Sequence, residues 1–160
     1  MKIKEKIVNY TLLCIGITVT AIIAIYLGAQ NLQDTIESKK AERVMQDVKR
    51  LRIALEKYYQ ITGKYPELSM DGANNNLKIL DYIDKNGKKI SFAEIYGEDK
   101  LPKTPKTNIF PEKNEVFDRA NFDNGTETGG WNYDYSNQTG EIHANLIKNV
   151  YSQGIDWKEY

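Results

Sequence analysis

Cysteine and histidine are almost missing: the 160 residues hold one of each, Cys14 and His143. A single cysteine forbids an intrachain disulfide and a cysteine metal cluster, so packing alone must hold any folded domain. With one histidine, no cysteine outside the apolar segment and no glycine-rich phosphate loop, the usual nucleophile and base pairings cannot be assembled. We therefore expect no enzyme. His143 falls where strand alternation points outward, the ordinary place for a surface residue. Excess charge of either sign is also lacking: 22 basic residues balance 22 acidic ones. No basic patch interleaved with aromatics appears, so nothing marks a direct nucleic-acid site. Internal repeats and low-complexity tracts are absent as well.

What the chain does have is a long apolar run. Residues 7–29 (IVNYTLLCIGITVTAIIAIYLGA) carry no charge, and at about 1.5 Å of helix rise per residue they match a hydrocarbon layer about 30 Å thick. We read one transmembrane helix. A cleaved signal would have an apolar core of about 7–15 residues and a small-residue cut site, which Gly28-Ala29-Gln30 imitates poorly. A lipidated cysteine would follow a small residue, whereas Leu13 precedes Cys14. Residues 1–6, with three lysines and one glutamate, form a basic leader. The positive-inside rule keeps it in the cytoplasm and puts residues 30–160 outside a single-pass anchor in the inner or cytoplasmic membrane. Lys39, Lys40 and Arg43 on the other flank pull against that orientation.

Beyond residue 30 the apolar residues change spacing. Val44, Val48, Leu51, Leu55 and Tyr58 fall at i, i+4, i+7, i+11 and i+14, one face of an amphipathic helix over residues 30–62. Arg43, Asp47, Arg50 and Glu56 take the remaining circumference, with Asp47 and Arg50 spaced for an i, i+3 pair. Gly63 and Pro66 stop the helix. Residues 63–111 read as a connecting region, rich in turn signals and with prolines at 102, 105 and 111. Within it Leu77, Leu80 and Ile83 have the spacing of a short helix ending before Asn86-Gly87, and residues 89–96 suit either a strand or a second short helix. Residues 101–105 must be extended. In the last stretch, 112–160, Trp131, Tyr133 and Tyr135 alternate with Asn132 and Asp134. Ser136-Asn137-Gln138-Thr139-Gly140 then supplies a turn, and Ile142, Ala144 and Leu146 alternate with His143 and Asn145. This predicts an antiparallel hairpin with its apolar face on the Val44-to-Tyr58 stripe and its polar face in water. Residues 116–122 offer a third strand. The fold class is α+β.

These residues carry a resemblance. The run Asp47-Val48-Lys49-Arg50-Leu51-Arg52-Ile53-Ala54-Leu55-Glu56-Lys57-Tyr58-Tyr59, then Gly63-Lys64-Tyr65-Pro66, resembles type IV pilins and type II secretion pseudopilins. Leu101-Pro102-Lys103-Thr104-Pro105-Lys106-Thr107-Asn108 is similar to the L-P-x-D-P-x-G-N loop of major pseudopilins. Gly129-Gly130-Trp131-Asn132-Tyr133 with Thr139-Gly140-Glu141-Ile142-His143-Ala144-Asn145 looks like the family's G-G-W-x-Y and T-G-E-x-x-A-N hairpin. The resemblance implies a pilin-like fold, one long N-terminal helix on a small antiparallel sheet. It also implies a structural subunit that meets other pilin-like subunits and a filament assembly platform in the membrane. Aligned on the family's prepilin peptidase site, Asn9 stands where glycine precedes the cut, Tyr10, Thr11 and Leu12 match the residues after it, and Cys14 replaces the glutamate that neutralises a neighbour's new amine. An uncleaved chain has no such amine and needs no such carboxylate, so the two departures agree; N-methylation of Tyr10 would accompany any cut. The residues implied in side-by-side packing are Cys14, Ile15, Val19, Ile22, Ile23 and Tyr26, although any transmembrane helix meeting only lipid would show the same pattern.

No cofactor is expected. Asp118, Asp123 and Glu127 are the calcium candidates, since the turn Asp123-Asn124-Gly125-Thr126-Glu127 is dense in oxygen, and a solvated acidic turn is the plainer reading. Tyr151, Trp157 and Tyr160 in the tail would cover the core, meet a partner strand or present a carbohydrate surface. An uncleaved, membrane-anchored module that binds a partner without polymerising is the alternative to a filament subunit.

Overall fold

The computed structural model describes the backbone of residues 2–160 and the side chains of residues 10–160. The chain is α+β, and it divides into two compact units, Met1–Glu37 and Ser38–Tyr160. One helix, α1 (Lys2–Thr62), supplies residues to both, with no break between Gln30 and Ser38.

In the larger unit the helix does what its spacing requires. Ala41, Val44, Val48, Leu51, Ala54, Leu55 and Tyr58 are all buried, while Lys49, Ile53 and Lys57 face out. The helix closes where glycine permits: the Gly63 N–H returns to the Tyr59 carbonyl at 2.7 Å, and the Thr62 hydroxyl donates to the Tyr58 carbonyl. Asp47 departs from expectation. It is buried and pairs with Arg43 one turn back at 3.8 Å, beyond hydrogen-bond reach, while Arg50 turns to Glu98 at 2.6 Å and lies over the Tyr96 ring. The i, i+3 pair is not made, because a strong partner on another element outcompetes a weak one on the same helix surface.

The connecting region is not a helix before Asn86-Gly87. Two single 3-10 turns, Ala73–Asn75 and Leu77–Ile79, lead into a small hairpin of β1 (Asp81–Ile83) and β2 (Lys89–Ser91). Asp84 explains it: its carboxylate accepts from the Asn86 and Lys88 N–H groups, and the Gly87 N–H returns to the Asp84 carbonyl. That local bonding makes Asn-Gly a hairpin turn rather than a helix end. The ambiguous residues 89–96 prove to be both, β2 running into α2 (Phe92–Tyr96), which Ser91 caps through the Glu94 N–H.

The main sheet has the order β3 (Val116–Asp118), β4 (Thr128–Tyr133), β5 (Ile142–Leu146). β4 and β5 form the expected antiparallel hairpin, Trp131 opposite Ala144 and Tyr133 opposite Ile142. The third strand pairs in parallel, so the sheet is mixed rather than antiparallel, and Phe122 lies beyond it in a 3-10 turn. Gly130 makes that pairing possible. At φ 81° it bulges β4 so that the Trp131 N–H reaches the Glu115 carbonyl at 2.8 Å, and a Cβ there would stand 2.3 Å from that same oxygen. Trp131, Tyr133, Ile142, Ala144 and Leu146 share one buried cluster with the α1 stripe, joined by Leu77, Phe92, Tyr151 and Trp157. Tyr58 meets Phe92 edge to face at 5.8 Å, and the Arg52 guanidinium donates to the Ile142 carbonyl at 2.9 Å.

Candidate functional site

The candidate assembly residues lie in the smaller unit, and each described one is exposed. Ile15, Val19, Ile22, Ile23 and Tyr26 are half or more accessible, as is Tyr10 at the candidate cut, and Cys14 is exposed and free. The Asn9 side chain lies outside the described residues. Exposure is not confined to the expected face: Leu12, Ile17, Ile25 and Leu27 are open too, Ile25 most of all at 73%. The segment is apolar all round. Several of its polar side chains bond within the helix itself: the Thr18 hydroxyl donates to the Cys14 and Ile15 carbonyls, Thr20 to Gly16, and the Gln30 amide to the Tyr26 hydroxyl. Such self-satisfaction is what a hydrocarbon environment demands, because lipid offers no hydrogen-bond partner. Among the described residues one helix is long and apolar enough to cross a membrane, and none of its most apolar stretch is buried.

In the larger unit the hairpin's second face is not wet. Asn132, Asp134, His143 and Asn145 are all buried, the asparagines at 1% exposure. Alternation separated the two faces correctly but could not reveal that residues 119–127 and the tail cover the polar one. Asn145 is the hub of this layer. Its side-chain oxygen accepts from the Glu127 N–H at 2.8 Å and the Asn132 amide at 3.3 Å; its nitrogen donates to the Thr126 hydroxyl at 2.8 Å and the Gly129 carbonyl at 3.0 Å. Asp134 organises the turn, accepting from the Asn137 N–H and the Thr139 hydroxyl. His143, expected at the surface, is buried beneath Phe122, ring to ring at 4.4 Å, with Nδ1 unpartnered. Burial first, then the Arg52 guanidinium, hold its pKa below the ordinary histidine value, against weaker pulls from Glu141 and a backbone hydrogen bond with Trp157.

The calcium candidates each have partners within the protein. The Asp118 carboxylate accepts from the Tyr135 and Ser136 N–H groups and the Ser136 hydroxyl, acting as a clasp on the hairpin turn. Glu127, at φ 57°, pairs with Lys158 at 2.9 Å, and the same ammonium reaches the Asp123 carbonyl at 3.2 Å. Asp123 itself lies in the 3-10 turn Phe122–Asn124, its N–H donating to the Asn121 side chain. Among the described residues no three His, Cys, Asp or Glu side chains are grouped to hold a metal ion. The acidic turn is also the place where Lys158 ties down the tail. Tyr151 and Trp157 cover the core, the Tyr151 hydroxyl donating to the Pro105 carbonyl at 2.8 Å, while Tyr160 stays exposed.

Sequence reasoning missed the buried polar contacts of Thr104. Its hydroxyl accepts from the Gly130 N–H at 2.9 Å while its backbone bridges Lys113, and the Trp131 indole donates to the adjoining Pro102 carbonyl. The extended Leu101-Pro102-Lys103-Thr104-Pro105 segment is therefore what seats the Gly129-Gly130-Trp131 bulge. No family model, no curated protein and no solved structure matches this chain.

Proposed function

We propose that this chain is a structural, pilin- or pseudopilin-like subunit of a type IV pilus or type II secretion-type filament, rooted in the inner membrane by its apolar helix. What carries the reading is α1: its residues from Tyr10 to Leu32 expose apolar side chains all round, and its stripe from Ala41 to Tyr58 forms the core of an α+β domain. An apolar helix with no covering of its own requires lipid, other helices or both. Within lipid, helix association is driven by packing and interhelical hydrogen bonds, so a filament needs only complementary neighbours and an assembly platform, not catalysis. The Gly130 bulge and Asn145 hub give physical reasons for the residues that carry the family resemblance, which supports the reading from a second direction.

The same helix serves a second reading, an uncleaved anchored module that binds a partner without polymerising. Asn9 and Cys14 favour it, because they remove together the glycine that cleavage needs and the carboxylate that a cut chain needs. A new ammonium left unpaired in hydrocarbon is costly. The intact mass of the protein taken from its native membrane separates the two. Loss of residues 1–9 makes the processed subunit the account; a full-length mass removes ordinary pilin maturation and leaves the anchored module.

A further inference from the structure

Among the described residues no strand pairs with the outer edge of β3, and we infer that it and the groove beside it receive an extended, lysine- or arginine-bearing segment of another polypeptide by strand addition. In the parallel β3–β4 pairing, Trp131 and Tyr133 bond to Glu115 and Arg119. Alternation then turns residues 115, 117 and 119 toward β4 and the backbone groups of Val116 and Asp118 away from it. Those two residues present two N–H donors and two carbonyl acceptors at strand spacing, the template that strand addition uses. The window is bounded upstream, where the Thr104–Lys113 bridge closes the chain.

A groove of about 390 Å³ runs beside this edge, with residues 68–75 as its other bank. Its accessible apolar surface comes from Met70, Val116 and Phe117, Leu68 being buried, and its charge from Asp71 and Glu115; among the described residues no lysine or arginine lines it. Both carboxylates are exposed, and among the described residues the cation paired with Glu115 is Lys113 at 3.4 Å, which an incoming basic side chain would replace. The occupant that fits is extended, alternates apolar and basic side chains, and supplies main-chain partners to Val116 and Asp118. The inference does not depend on polymerisation; it holds for a filament subunit and for an anchored module alike.

The test uses the full chain in neutral detergent and a fluorescent ten-residue peptide alternating lysine with valine, read by anisotropy. The expected result is saturable binding, weakened at least about tenfold when alternate amides on one edge of the peptide are N-methylated. A comparable loss is expected in the double variant D71K/E115K, whose two sites are exposed and leave the core intact. A peptide alternating glutamate with valine should not bind. Absence of saturable binding, or equal binding by the N-methylated peptide, the glutamate peptide or the double variant, would overturn the inference. Binding only through break-up of a dimer of the chain would assign the edge to a second copy and overturn it too.

Discussion

Replacing Asn145 by alanine tests whether the covered polar face of the hairpin holds the domain together. The substitution removes four hydrogen bonds and leaves three groups behind, the Glu127 N–H, the Gly129 carbonyl and the Asn132 amide; the Thr126 hydroxyl keeps a second partner, Thr128, at 3.1 Å. A buried polar group stripped of its partner costs about 1–3 kcal/mol. Glu127 is only half-buried, so water relieves part of its share, and the sum comes to about 3–5 kcal/mol. Against the roughly 5–15 kcal/mol typical of a domain this is a large loss. Guanidinium unfolding of the full chain in detergent, followed by tryptophan fluorescence, should show it as a lower midpoint. Asn145→Asp sharpens the test, since it sets a carboxylate oxygen where nitrogen had donated to the Gly129 carbonyl. That folded-state carboxyl has its pKa raised, so the penalty is present at neutral pH and relieved as pH falls and the group protonates. A loss below about 1 kcal/mol for Asn145→Ala, or no recovery of Asn145→Asp in acid, would refute the hub.

Gly130→Ala should free β3, because the new Cβ meets the Glu115 main-chain oxygen at 2.3 Å and φ is 81°; hydrogen exchange should accelerate at residues 116–118. Gly140→Ala should be milder, about 1–2 kcal/mol, since its Cβ meets the rim of a half-exposed Tyr65 ring that can swing aside, and loss of the Tyr59–Tyr65 stack would report it. For His143 the folded pKa lies below the unfolded one, so its contribution is full above about pH 6.5 and is lost as pH falls below that value. His143→Gln should remove this part of the pH dependence. Asp47 has the opposite sign: burial raises its pKa against the pull of Arg43 and Arg50, so its charge costs stability at neutral pH and acid relieves the cost. Asp47→Asn should therefore be neutral or stabilising at pH 7 and gain less than the parent on acidification.

The sequence made the parts governed by local period and breakers legible. The Val44-to-Tyr58 stripe, the stop at Gly63 and the β4–β5 hairpin all follow from spacing that only one backbone geometry satisfies. Leu77, Leu80 and Ile83 misled because three apolar residues at helical spacing also fit a turn followed by a strand, and the Asp84 clasp decided between them. The parallel partner of β3 was hidden for another reason: a three-residue strand has no pattern that names its neighbour, and the bulge that seats it depends on Thr104, some 26 residues away. His143 and Asp47 were placed outside because alternation and helical angle define a face, not what covers it. In both cases the cover comes from elsewhere, Phe122 over the histidine and the Arg50–Tyr96 contact beside the aspartate. The candidate assembly residues were legible in composition, but the all-round apolarity of their helix says less about one packing face than the spacing of Ile15, Val19, Ile22 and Tyr26 had suggested.

The central claim is that this helix packs against other helices, and the single cysteine gives direct access to it. Cys14 is exposed within the apolar segment and has no competitor for thiol chemistry. The measurement is attachment of a photo-activatable crosslinker to Cys14 in native membranes, followed by irradiation and identification of the adducts. The account predicts discrete protein adducts through the apolar helices of further copies or of pilin-like partners. Label recovered only on lipid, with the chain at its monomer mass, would contradict it.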